Sequence, residues 1–219
     1  MTVKIKICGI TNLADALLAA KAGADYLGFI LWPGSKRYIR PDNVQIIATL
    51  LRQLSQCPTL VGVFVNDPAG VVANLLDICN LDIAQLSGDE PASFVGDFQS
   101  PLYGRSYKTI RPASLTEAEA EAEWYLPPAA HPEWPHLLLD TPDPFLRGGT
   151  GRTINWDMAA KLSETIPNLM LAGGLTPDNV AQAVAKVRPY ALDVASGVEI
   201  SPGQKSPDLV HTFVTNARR

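Results

Sequence analysis

Eight times along its 219 residues this chain runs through the same unit: a short apolar stretch rich in β-branched residues, a loop, and a segment with helical periodicity. Strands are expected at Val3–Cys8, Asp25–Leu31, Thr59–Val65, Asp82–Leu86, Arg105–Ile110, His136–Asp140, Asn168–Ala172 and Ala191–Ala195. Eight strands alternating with eight helices, at about 27 residues per unit, fit a single (β/α)8 TIM barrel of the α/β class filling residues 1–219 as one domain. An open doubly wound sheet is the competing fold. It seldom needs eight such regular units, and no GxGxxG follows the first strand.

The helical segments carry their own punctuation. In "DPAGVVANLLDICN" Asp67 is expected to cap and Pro68 to sit in the first turn, with Val71, Val72, Leu75, Leu76 and Cys79 on one apolar face. "TPDNVAQAVAKV" repeats the signature with Thr176 and Pro177, Pro41 and Pro91 read as two more first-turn prolines, and Gly23 as a helix stop. "LTEAEAEAEWYL" alternates with a period of two, yet Ala and Glu are helix formers with little to pack in a sheet. It is expected to be a helix whose charged run is solvated. The proline-rich connector 126–135 that follows is expected to affect only the rim opposite the site.

Composition narrows the function. With 47% hydrophobic and 18% charged residues the chain is globular, and a net charge of −4 with no dense basic stripe argues against nucleic-acid or acidic-membrane partners. No run reaches the roughly 18–20 apolar residues of a membrane helix. The first strand is interrupted by Lys4 and Lys6, which does not suit a secretory signal, so the expected location is the cytoplasm, or an organellar stroma if a transit peptide has been removed. Cys8, Cys57 and Cys79 are odd in number and far apart, which argues against CxxC sites and a disulfide framework.

Barrel chemistry sits where strands end at their C-terminal side. There the sequence offers Cys8-Gly9, "LWPGSKRYIR", "FVNDP", "QLSGDE", Asp140, "LAGGLT" and "DVASGVE". Asp25, Asp82 and His136 begin strands and belong to the other rim, where solubility and helix contacts explain them. His131, His136 and His211 all miss the active rim, so a histidine base or Ser-His-Asp triad is not expected, nor is any metal or cofactor. Acid–base candidates reduce to Cys8, Asp140 and Asp193.

Three glycine-rich segments in adjacent units, "RGGTGRT", "AGGLT" and "ASGVE", mark a phosphate site, because glycine lets backbone N–H groups converge on an anion. Its expected residues are Gly149, Gly151, Gly173, Gly174, Ser196 and Gly197. Arg37 carries a planar fork suited to a carboxylate. Phosphate donors at one end and a guanidinium at the other imply a small substrate with two anionic ends.

The ordered set "KICGIT", "GADYLGFILWPGSKRYI", "GVFVN", "QLSGDE", "LLLDT", "GGTGRTINW", "LAGGLTPDNV" and "DVASGVE" resembles the phosphoribosylanthranilate isomerases of tryptophan biosynthesis along essentially the whole chain. The resemblance implies a cofactor-free Amadori rearrangement of N-(5-phosphoribosyl)anthranilate to 1-(2-carboxyphenylamino)-1-deoxyribulose 5-phosphate. It implies Cys8 as general base, Asp140 as general acid with a raised pKa, and Arg37 on the anthranilate carboxylate. It further places Gln85 and Asp193 on the substrate, the glycine segments on the phosphate, and implies a monomer or homodimer. One departure stands out: Ser87 occupies the place of a histidine in the family's Gln-Leu-His-Gly.

Lys6 lies two residues before Cys8 and faces the barrel interior, where an unpaired charge is costly. Strands one and eight become neighbours on closure, so Lys6 is expected to pair with Asp193 beneath the site, supporting the floor and favouring the Cys8 thiolate. Two rival readings are the histidine-pathway isomerase and a non-catalytic sugar-phosphate-binding barrel. The first resembles a barrel with aspartate ending strand one and a second phosphate loop; the second has no use for Cys8 and Asp140 together.

Overall fold

The computed structural model describes residues 2–128, 131–141 and 155–219. Eight parallel strands, β1 (Lys4–Cys8), β2 (Tyr26–Ile30), β3 (Thr59–Phe64), β4 (Ile83–Leu86), β5 (Ser106–Ile110), β6 (Leu137–Leu139), β7 (Leu169–Leu171) and β8 (Ala191–Val194), pair in sequence order. The barrel closes by β8 pairing with β1, which sets Lys6 opposite Asp193. All eight expected strands are present, each trimmed by a residue or two. Helices α1 (Leu13–Ala22), α2 (Pro41–Leu51), α3 (Ala69–Ile78), α4 (Ser93–Gly96), α5 (Leu115–Tyr125), α6 (Trp156–Thr165), α7 (Val180–Val187) and α8 (Pro207–Ala217) follow the strands in turn.

Side-chain alternation divides the core in two. One phase of each strand (Ile5 and Ile7, Leu27 and Phe29, Leu60 and Phe64) packs outward against the helices. The other phase points inward, and its lowest level is apolar: Tyr26, Val61, Ile83, Tyr107, Leu138, Met170 and Ala191 fill the barrel. Connector residues close that end from below. The Glu133 carbonyl accepts from the Tyr26 and Tyr190 hydroxyls at 2.6 and 2.7 Å, and Trp134 packs on the same apolar level. The connector therefore acts on the rim opposite the glycine loops.

Asp25 and Asp82 do more at that rim than keep it soluble. Their carboxylates accept the Ile5 and Leu60 backbone N–H groups at 2.9 and 2.7 Å, and pair with Arg218 and Arg52. Each stitches the lower sheet edge to the outer shell.

Several caps behave as expected. Pro41 is the first residue of α2, Gly23 ends α1 at φ 96°, and the "TEAEAEAE" segment forms α5 behind a Ser114 cap. Two caps are corrected. Pro68, not Asp67, occupies the cap position of α3, because its ring holds Asp67 outside the helix and the first turn starts at Ala69. Thr176 likewise gives way to Asn179: a turn over 176–179 precedes α7, and the Asn179 side-chain oxygen takes the Thr176 N–H at 2.8 Å. Pro91 stands two residues ahead of the four-residue α4 rather than within its first turn.

One addition was not expected. After β8 the chain makes a 3-10 turn (Ser196–Val198) and an antiparallel hairpin, β9 (Glu199–Ser201) and β10 (Gln204–Lys205), before α8. Among the described residues no helix is long and apolar enough to cross a membrane.

Candidate active site

Above the apolar floor the inward positions turn polar. Lys6, fully buried, donates to Asp193 Oδ1 at 3.0 Å and to Gln85 Oε1 at 2.7 Å. The expected ion pair is present, and it has a third member. Tyr107 also donates to Gln85 Oε1 at 3.0 Å, while Gln85 Nε2 donates to Ser87 and Thr109 at 3.1 and 3.2 Å. The ammonium only donates, so it fixes which way the amide points, and the two hydroxyls accept from the Nε2 that then faces them. Ser87, in the place of the family's histidine, is thus a buried link of this network rather than a wall of the cavity.

Over this layer opens a cavity of about 530 Å³ lined by Cys8, Arg37, Gln85, Arg111, Asp140, Gly173, Gly174, Asp193, Ser196 and Gly197 among others. Nine of the sequence-derived residues therefore meet in one place. Gly149 and Gly151 lie outside the described residues, and Lys6 sits in the layer beneath. Gly28, inward on β2, is a requirement of that crowding: a Cβ there would stand 2.7 Å from Cys8 Sγ and 3.1 Å from Lys6 Cε.

Burial pushes the Cys8 thiol up, ahead of the opposing pull of Lys6 and, more weakly, Lys205. The expectation that Lys6 favours the thiolate holds for its own contribution but not for the sum, in which desolvation is the larger effect. Burial also raises the Asp140 carboxyl, against the lowering effect of Arg111, and Asp193 adds to the rise. Asp140 Oδ1 accepts the Thr141 N–H at 2.8 Å. A thiol and a carboxyl group that burial makes hold its proton more tightly face the same space.

The end where a phosphate site is expected is built from backbone. Gly173 and Gly174 have φ of 91° and 62°, and the N–H groups of Gly173, Gly174, Ser196 and Gly197 donate to nothing among the described residues. A Cβ on Gly197 would overlap the Leu175 carbonyl oxygen, so the β7 and β8 loops approach as only glycine allows.

Arg37 is more constrained than a loop arginine. Its Nε and Nη2 grip Glu199 at 2.7 to 3.0 Å, leaving Nη1 without a partner among the described residues. Glu199 in turn accepts from Lys205 at 2.9 Å, and Lys205 donates to the Cys8 and Ala195 carbonyls at 2.6 and 3.1 Å. The hairpin is a clasp holding the tops of β1 and β8 and the Arg37 loop in one geometry. Two cations share one carboxylate, so the corner stays net positive and suits an anion.

The sequence reading missed Arg111, Glu199, Lys205 and the Tyr107–Thr109 pair. Arg111 follows β5 in the same inward phase as Tyr107 and Thr109, the one strand end left unread. Glu199 closes "DVASGVE", and the Pro-Gly after it is a turn signal. Glu90 escaped notice too: buried, it accepts the Asn66 and Gly88 N–H groups and pairs with buried Lys108 at 2.6 Å, tying the β3 and β4 loops together.

Comparison with known proteins agrees with this geometry. A family model described as N-(5'phosphoribosyl)anthranilate (PRA) isomerase matches residues 5–216. The N-(5'-phosphoribosyl)anthranilate isomerases of Trichlorobacter lovleyi and Pelobacter propionicus are each 42% identical over 216 residues, covering 99% of this chain and 98% and 96% of theirs. The crystal structure of phosphoribosyl anthranilate isomerase from Thermotoga maritima matches with a TM-score of 0.84 at 35% identity, covering 98% of both chains. A phosphoribosyl anthranilate isomerase in complex with reduced 1-(o-carboxyphenylamino)-1-deoxyribulose 5-phosphate matches with a TM-score of 0.81 at 34% identity and the same coverage. Matched from end to end in sequence and in fold, the chain belongs to the N-(5'-phosphoribosyl)anthranilate isomerase family.

Proposed function

We propose that this chain converts N-(5'-phosphoribosyl)anthranilate to 1-(2-carboxyphenylamino)-1-deoxyribulose 5-phosphate, an isomerisation of tryptophan biosynthesis, by acid–base catalysis. The observation that carries the reading is the pairing of Cys8 with a burial-raised Asp140 across one cavity. Asp140 gives its proton to the furanose oxygen as the C1–O bond breaks; the bond's electron pair stays on oxygen and the amine nitrogen's lone pair forms C=N. Cys8, as thiolate, then takes the C2 proton, and those electrons neutralise the iminium to give an enolamine. Ketonisation removes the enol O–H proton and adds one at C1, so the net proton count is unchanged.

The remaining residues hold the substrate for these steps. The Gly173, Gly174, Ser196 and Gly197 N–H groups, with Gly149 and Gly151, take the phosphate. Arg37 offers Nη1 to the anthranilate carboxylate from a guanidinium locked by Glu199. Asp193 and Gln85 face the ribose while anchoring Lys6. An arriving anion is also favoured by the Arg37 and Lys205 cations, which share Glu199 as their ion-pair partner.

The test is turnover of freshly generated phosphoribosylanthranilate, followed by loss of its fluorescence, in wild type, Cys8→Ser and Asp140→Asn. Rapid loss in wild type with both variants slower by about a thousandfold or more supports both roles. A silent wild type that still binds phosphate ligands defeats the reading in favour of a binding barrel or a different phosphorylated substrate. The family includes a dimeric enzyme from Thermotoga maritima and monomers generated from it; sedimentation of this chain decides between monomer and homodimer.

A further inference from the structure

Arg111 holds a buried N–H that is not hydrogen-bonded among the described residues. Its Nη1 donates to the Ser87 carbonyl at 3.2 Å, which anchors the guanidinium to the end of β4. Its Nε is buried, makes no hydrogen bond among the described residues, and stands at ion-pair range, 3.4 Å, from Asp140 Oδ2. Both side chains are largely enclosed, 19% and 16% exposed. A buried donor without an acceptor in a native site needs a reason.

The spacing supplies one. A carboxylic acid carrying its proton is a weak acceptor, whereas the carboxylate it becomes forms short charge-assisted bonds with a guanidinium. Bonded fully beforehand, Arg111 would hold Asp140 ionised and leave no proton to give. Removed altogether, it would leave the spent carboxylate buried beside Asp193 without the one cation that pairs with it among the described residues.

We propose that Arg111 is the positioning residue for the proton donor: its Nε–H waits about 0.5 Å beyond bonding distance of Asp140 Oδ2 and closes on it when the proton has left for the substrate's ring oxygen. This rests on the isomerase reading above. The charged groups around the pair are few among the described residues. Asp140 meets Arg111 from β5, Asp193 from β8 and the Thr141 N–H beside it. Arg111 lies within the field of Lys108 on its own strand and of Glu121 on α5, itself buried at Oε2 without a partner. Cys8 faces the cavity from β1, with Lys6 in the layer beneath it.

The experiment uses the full chain as wild type, Arg111→Met and Arg111→Lys. Two quantities are read: kcat/KM from about pH 5 to about pH 10, and the pH midpoint of the Asp140 carboxyl 13C resonance in the free protein, identified by its loss in Asp140→Asn. The bend that belongs to Asp140 is the one that its own carboxyl midpoint matches. The substrate's own phosphate titration is common to all three enzymes and cancels in their ratios. For Arg111→Met, kcat is expected to fall ten- to hundredfold with KM changed less than about threefold, while bend and midpoint both rise by about one pH unit. Arg111→Lys, which restores a cation, is expected to return both most of the way.

Lost activity with bend and midpoint unmoved overturns the proposal and leaves Arg111 a structural support. A fall confined to KM overturns it as well, making Arg111 a substrate ligand. Should wild type fail to turn over, the isomerase reading fails on its own; the carboxyl midpoint needs no substrate and still decides whether Arg111 governs Asp140's proton.

Discussion

Lys6→Met tests the layer on which the site is built. Methionine matches lysine in length and removes only the ammonium from a position with no solvent access. Gln85 Oε1 keeps its bond from Tyr107, but Asp193 loses the partner that faced it at 3.0 Å. Breaking a buried pair costs about 3–5 kcal/mol, most of it the stranded charge. The Asp193 side chain retains 11% exposure, which lets water soften the loss and puts the estimate at about 3 kcal/mol. Asp193→Asn strands the ammonium instead, at zero exposure, and is expected to cost about 4 kcal/mol. The double variant strands neither charge and is expected to cost about 2 to 3 kcal/mol, far below the sum.

Urea unfolding followed by tryptophan fluorescence and circular dichroism supplies the four corners of that cycle. Burial alone would strip the Lys6 proton, but Asp193 chiefly, with Cys8 and Tyr107, holds it above the ordinary lysine value. A group raised in the folded state contributes fully below its unfolded pKa, about 10.4, and loses its contribution only as pH rises beyond that. The coupling is therefore expected to be equal at about pH 6 and about pH 8. Because Lys6 opposes the burial of Cys8, the midpoint for Cys8 alkylation by iodoacetamide is expected to move up in Lys6→Met and part of the way back in the double variant. Additivity of the two single variants within about 0.5 kcal/mol would refute the buried-pair argument.

Two further substitutions probe the clasp and the anion site. Glu199→Gln keeps the shape but weakens the lock on Arg37, so KM is expected to rise about tenfold while kcat falls less; steady-state kinetics checks it. Arg37 and Lys205 hold the Glu199 carboxyl below its usual range despite burial. Its contribution is therefore present above about pH 4.3 and lost as pH falls through the depressed folded value, and wild type is expected to lose more of its urea midpoint below about pH 4 than Glu199→Gln does. Gly197→Ala places a Cβ on the Leu175 carbonyl oxygen and must part the β7 and β8 loops. It is expected to weaken inorganic-phosphate binding at least tenfold by calorimetry, with a stability loss of about 1–3 kcal/mol.

The barrel was legible because its pattern is redundant: eight strands each repeat the alternation that sends one phase to the helices and the other inward. The Lys6–Asp193 pair was legible for the same reason, since phase fixed its side and closure fixed its neighbour. What stayed hidden depended on side chains meeting across loops with no such period. Glu199 and Lys205 are six residues apart across a turn, and their joint grip on Arg37 and the Cys8 carbonyl involves chain neighbours far away in sequence. The net direction of the Cys8 shift was hidden too, because it is a contest between desolvation and charge that only burial decides. Arg111 is a different case. Once Tyr107 and Thr109 are assigned to the interior, the next inward position of β5 is Arg111, at the mouth and beside the strand that ends in Asp140. Phase alone therefore puts a guanidinium next to the acid; only the 3.4 Å gap, a distance and not a pattern, says that it stands off until the proton has gone.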